Sequence, residues 1–145
     1  MRVPLTHVIK KISDYVDSNK VLKQFEVAPL LENSAEEYLY PMLLMEIGDT
    51  EIKNGMCTMK ANLAFIDIPV SEDDYVQKLS DTQIMAIDFK TYFNYNESEF
   101  GFYLEDAATA SPIQFGKINE DECIGWLLPI NVYLGNNNDE SQIPI

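Results

Sequence analysis

One run constrains this chain more than any other, the twelve or so residues between the Asn54-Gly55 pair and Pro69. Cys57, Met59, Ala61, Leu63 and Phe65 alternate there with Thr58, Lys60 and Asn62, a period of two. Successive side chains of a strand point to opposite faces, so this run is a long strand with one greasy face and one wet one. Asn-Gly ahead of it is a two-residue hairpin signal, and Pro69 closes it. A strand with one apolar face needs a sheet to join and a layer over that face, and the rest of the chain has to supply them.

Two segments have the right pattern to be that layer. Leu5, Val8, Ile9, Ile12, Tyr15 and Val16 recur at spacings of three and four, which predicts a helix over residues 5–19 with Pro4 where its missing amide costs nothing. Ser71 followed by Glu72, Asp73 and Asp74 reads as the start of a second helix, acidic in its first turn, running to about Phe93. In that helix Val76, Leu79, Gln83, Ala86, Ile87 and Lys90 mark one side, and Ile84, Met85 and Phe89 overflow it. The overflow is more apolar surface than one sheet covers.

Further strands are expected at residues 38–47, 100–104 and 123–134, with a short extended piece at Leu22–Phe25, a hairpin tip at Thr50–Lys53 and an ambiguous piece at residues 114–118. Apolar residues on both faces of 38–47 call for cover on both sides. Gly125 beside Trp126 suits a close approach of a neighbouring segment, and Pro129 predicts that the last strand is an edge or is bulged there. Residues 32–37, 106–112 and 119–122 read as loops or turns. The fold class is therefore α+β, an antiparallel or mixed curved sheet with two helices on one face, forming a single domain over residues 1–134. Residues 135–145, with three successive asparagines, form an acidic tail whose last three residues are apolar.

Aspartate and glutamate number 24 against 10 lysines and arginines, a formal net charge of -14. Such a field repels phosphate backbones, and no dense basic patch is present to read a duplex. The N-terminus shows no positive segment followed by an apolar run, so no secretory leader is expected, and no stretch of 18 apolar residues predicts a membrane-spanning helix. Cys57 and Cys123 lie in strand patterns and read as buried, reduced thiols.

Catalytic chemistry finds little to build on. His7 is the only histidine and sits in the first helix with no nucleophile announced near it, so its reading is structural. His7, Cys57 and Cys123 lack metal-ligand spacing, and the acidic triplets 72–74 and 120–122 lack the alternation of a calcium loop. No glycine-rich phosphate loop follows a strand. Asp67 and Asp88, the acids in the most apolar surroundings, read as charges at element edges. No catalytic residue, cofactor or metal is therefore assigned. Surplus aromatics are another matter, because Tyr38, Tyr40, Tyr92, Phe93, Tyr95, Phe100, Phe102 and Tyr103 gather around turns and strand ends, where aromatics make good contact surfaces.

Taken in order, these elements resemble the bacteriophage tail-terminator or head-to-tail completion proteins. The resemblance lies in the early helix, Tyr40-Pro41 opening a strand, the long strand ending near Asp67 and the helix carrying Leu79-Ser80-Asp81-Thr82. It continues through residues 112–115 and an acidic turn to Ile124-Gly125-Trp126 entering the last strand, and it covers most of residues 1–134. The chain departs from that pattern at residues 94–100 and in its tail. The resemblance implies a ring of six or twelve copies in the virion neck or tail, made in the host cytoplasm, that joins portal or connector proteins to tail proteins. DNA passes through its lumen without sequence-specific binding. Gly125, Trp126 and Tyr40-Pro41 would serve the fold. The contact residues expected on this reading are Ile84, Met85, Phe89, Tyr92, Phe93, Tyr38 and Tyr40, with Met85→Asp blocking assembly while sparing the fold. An acidic monomeric adaptor or inhibitor of a basic protein is the alternative, and a small carboxylate enzyme built on a buried acid such as Asp67 comes third.

Overall fold

The structure, a computed structural model, describes residues 3–28, 38–118 and 121–136. Its elements run α1 (Leu5–Ser18), β1 (Gln24–Val27), β2 (Met42–Lys53), β3 (Met56–Asp67), a 3-10 turn (Glu72–Asp74), α2 (Tyr75–Tyr95), α3 (Glu97–Phe100), β4 (Tyr103–Leu104), β5 (Ser111–Ile118) and β6 (Asp121–Asn136). One open, mixed sheet runs in the order β1-β2-β3-β6-β4, with β5 also paired to β6. β1 lies parallel to β2, and the other pairings are antiparallel.

The long strand read from the sequence is the centre of this sheet. β2 pairs with it from Met42↔Ile66 to Lys53↔Met56, and β6 flanks it from Ile124 to Asn136. Between β2 and β3, Asn54 (φ 51) and Gly55 (φ 77) form the tight turn, both left-handed as a two-residue hairpin with matching twist requires. Thr50–Lys53, expected as the hairpin tip, continue β2 instead, past a register shift between Ile47 and Thr50.

Met59, Ala61, Leu63 and Phe65 face α1 and α2 in one cluster with Leu43, Met45, Leu128, Ile130 and Val132. Val8, Ile12, Tyr15 and Val16 come down from α1, and Met85, Ala86, Phe89 and Phe93 from α2. Burying side chains such as Phe65 and Phe89, both 0% exposed, contributes about 1.5–3 kcal/mol apiece. A second, smaller cluster of Tyr38, Met42, Ala64, Ile66 and Cys123 lies across the sheet, which explains the two-sided apolar pattern of the early strand.

Local chemistry sets the ends. The Asn19 side-chain oxygen accepts from the amides of Val21 (2.8 Å) and Leu22 (2.9 Å), an Asx turn that stops α1. Ser71 makes no side-chain cap, but the Asp74 carboxylate accepts from the Val70 amide at 3.1 Å, so acidic stabilisation of this terminus is retained one turn early. Phe100, expected in a strand, belongs to the short α3, which Gly101 ends at φ 80. The strand that follows has only two residues.

Pro129 does not mark an edge. β6 is interior, and Pro129 falls between the end of its pairing with β5 at Leu127 and its pairing with β4 at Val132, where that flank asks for no amide hydrogen. Gly125 is required by its neighbour: a Cβ there would lie 1.9 Å from the Phe65 carbonyl oxygen, at φ 157. The last strand takes in Gly135 and Asn136. Residues 32–37, 119–120 and 137–145, read as loop, turn and tail, lie outside the described residues.

Candidate interaction surface

Helix α2 carries apolar residues on two opposite faces. At 100° per residue, Thr82, Met85, Ala86, Phe89 and Phe93 share the side that meets the sheet, and all five are buried. Ile84 (52% exposed), Ile87 (57%) and Tyr95 (87%) stand on the opposite side, with Val76 (71%) in the first turn of the helix. Exposed aliphatic residues taken singly are ordinary; here several share one helix face that the chain's own sheet does not cover.

Core positions are fixed on the first face by aromatics in mutual contact. Phe89 meets Tyr15, Phe65 and Phe93 at ring-centre distances of 5.4, 5.6 and 4.6 Å. Phe93 extends the group to Phe100 at 5.5 Å. The polar ties have the same purpose. Trp126 Nε1 donates to the Leu79 carbonyl at 2.8 Å, joining β6 to α2. Thr82, fully buried, returns its hydroxyl to the Lys78 carbonyl at 2.9 Å. Asp67 is at an element's end, the last residue of β3, but its charge is not in water: the carboxylate is nearly buried and lies 3.3 Å from Lys78 Nζ.

The seven residues expected at an interface therefore separate. Met85, Phe89 and Phe93 belong to the core of their own chain. Aspartate at Met85 would put a carboxylate into that core, so Met85→Asp cannot spare the fold. Tyr38 is buried on the far face of the sheet, and Tyr40 is half-buried beside it, its hydroxyl 4.0 Å from Cys123 Sγ. Ile84 alone stands on the outer side of α2, while Tyr92 (39% exposed) lies at the margin of the core face and leans on Tyr15 at 4.8 Å. Val76 and Ile87, read from the sequence as sheet-facing, are on the outside. The spacing of Thr82, Met85, Ala86, Phe89 and Phe93 held the answer, since it is the stripe that contains both phenylalanines.

Along the α1 side of α2 lies an open groove of about 480 Å³. Lys20, Val21 and Lys23 form one lip, Asp81, Ile84 and Asp88 the other, and the Lys78–Asp67 pair lies at its floor. Tyr15 lines it too, and burial first, then the Asp88 carboxylate, pushes its phenol above the usual 10.0, against a hydrogen bond from Asn19. On the other side of α2, a smaller recess of about 280 Å³ is lined by Ile87 and Trp126.

No protein-family model matches the chain, and no curated protein matches it. Among the described residues no three His, Cys, Asp or Glu side chains converge where a metal ion could sit, and no helix is long and apolar enough to cross a membrane. His7 is tied into the fold: its Nε2 is 2.8 Å from the Phe100 carbonyl oxygen and its ring stands edge-on to Phe102 at 6.0 Å. No disulfide joins Cys57, half-buried, to Cys123, buried.

Proposed function

We propose that this protein is a structural component that works by assembling with copies of itself, as a tail-terminator-like ring at the neck or tail end of a bacteriophage particle. In that role it joins portal or connector proteins to tail proteins and leaves a lumen for DNA. One observation carries the self-assembly: α2 offers apolar side chains to two opposite sides while its own sheet covers only one. The resemblance of the element order to the terminator class supplies the ring and its setting in the virion. An excess of acid agrees with a lumen that does not grip DNA, because a negative wall repels phosphate.

Imaging of the purified protein, and of particles made with and without it, tests the reading. Closed rings and tails of uncontrolled length or unjoined heads in its absence are the expected outcomes. A particle that assembles normally without this protein contradicts it. The adaptor reading predicts a monomer that binds a basic protein with strong salt dependence, so the same purified material distinguishes the two.

A further inference from the structure

We infer that the Ile84–Ile87 ridge of one copy seats against the Lys20–Val21–Lys23 exit of α1 on a second copy. This inference rests on the self-assembly proposed above and names the two surfaces that would meet.

Both surfaces have the same design with opposite charge. Ile84, more than half exposed, lies with Asp81 and Asp88 on the groove side of α2, and Ile87, also more than half exposed, continues the ridge toward the recess beside Trp126. Val21, 51% exposed, stands between Lys20 and Lys23 where the chain leaves α1. Aliphatic centres rimmed by unlike charges give a contact both affinity and register.

Net charge narrows the choice of surfaces. Two copies at -14 repel each other over most of their surfaces, so close approach is least opposed where a positive segment meets a negative one. Residues 10–23 are the positive segment, with four lysines against two aspartates. Residues 72–88 are strongly negative, with five acids against Lys78.

Neither lip satisfies the other within one chain. They line opposite sides of the 480 Å³ groove, and among the described residues the ion pairs are Lys10–Asp14 and Lys78–Asp67. Lys20, Lys23 and Asp88 are exposed. Used once per copy, the contact is heterologous and propagates around a ring; exchanged reciprocally, it closes a pair.

Charge reversal on each lip tests the contact. Asp81→Lys with Asp88→Lys makes both lips basic, and Lys20→Glu with Lys23→Glu makes both acidic. Each variant alone is expected to lose about tenfold or more in self-association by sedimentation velocity. An equimolar mixture of the two is expected to recover it, with both variants melting as the wild type does. If the wild type assembles and both variants assemble equally well, or if the folded variants fail to restore assembly when mixed, the contact is elsewhere and the inference is overturned while self-assembly stands. A wild type that stays monomeric at every concentration removes the self-assembly reading itself, and the inference with it.

Discussion

Trp126 Nε1 donates a 2.8 Å hydrogen bond to the backbone carbonyl of Leu79, so the last strand holds the second turn of α2 by a side chain. That carbonyl also accepts from the Thr82 hydroxyl at 3.1 Å. The indole therefore acts as a positional tie, locating α2 along β6 and with it the direction in which Ile84 and Ile87 face. Trp126→Phe keeps most of the apolar contact and removes the donor. A loss of about 1 kcal/mol in denaturant-unfolding stability is expected, since the acceptor retains another partner.

Gly125, the residue before that tryptophan, has no tolerance for a side chain. A methyl group there would meet the Phe65 carbonyl oxygen at 1.9 Å, and both belong to interior strands that cannot move apart cheaply. Gly125→Ala is expected to cost about 3 kcal/mol or more, or to prevent folding. Wild-type stability in this variant would contradict the placement of β6 against β3.

The two faces of α2 separate by mutation. Phe89→Ala empties a core site that is 0% exposed and is expected to cost about 3–5 kcal/mol. Ile84→Asp replaces a side chain already half in water and is expected to change the stability of one subunit by no more than about 0.5 kcal/mol. Thermal melts of the two variants at concentrations too low for association check the difference.

Tyr15 predicts a pH effect of definite sign. Its phenol is held above the usual 10.0, so the folded state favours the protonated form. The stabilisation is complete below 10.0 and is lost as pH rises through the folded value. Tyr15→Phe lacks this ionisation. Denaturant unfolding across the alkaline range is expected to show a shallower decline in the variant than in the wild type, and parallel declines would contradict the assignment.

How much of this was legible in the sequence depended on whether a pattern had one solution. Cys57 to Phe65 alternate cleanly, Asn54-Gly55 admits one kind of turn, and the α1 stripe from Leu5 to Val16 is narrow, so β3, its hairpin and α1 follow from local pattern. The close approach at Gly125 was also legible in kind, though not the atom it avoids. Helix α2 has two apolar stripes, and local pattern does not say which one a sheet takes. Contact of Phe89 with Tyr15 and Phe65 decides it, and those contacts are long-range. The same limit hid the parallel pairing of β1 with β2 and the sharing of one β6 flank by β5 and β4, which moved Pro129 off the edge. Phe100 alternated convincingly with its neighbours, but the left-handed Gly101 sets it apart from the strand.

Self-assembly through the outer face of α2 is the claim on which the functional account stands, and the mass of the protein in solution tests it most directly. Sedimentation velocity over a wide concentration range should show the wild type reaching a discrete multimer. A protein carrying Ile84→Asp and Ile87→Asp together should remain a folded monomer throughout. A wild type that is monomeric at every concentration, or a double variant that forms the same multimer, would contradict the account.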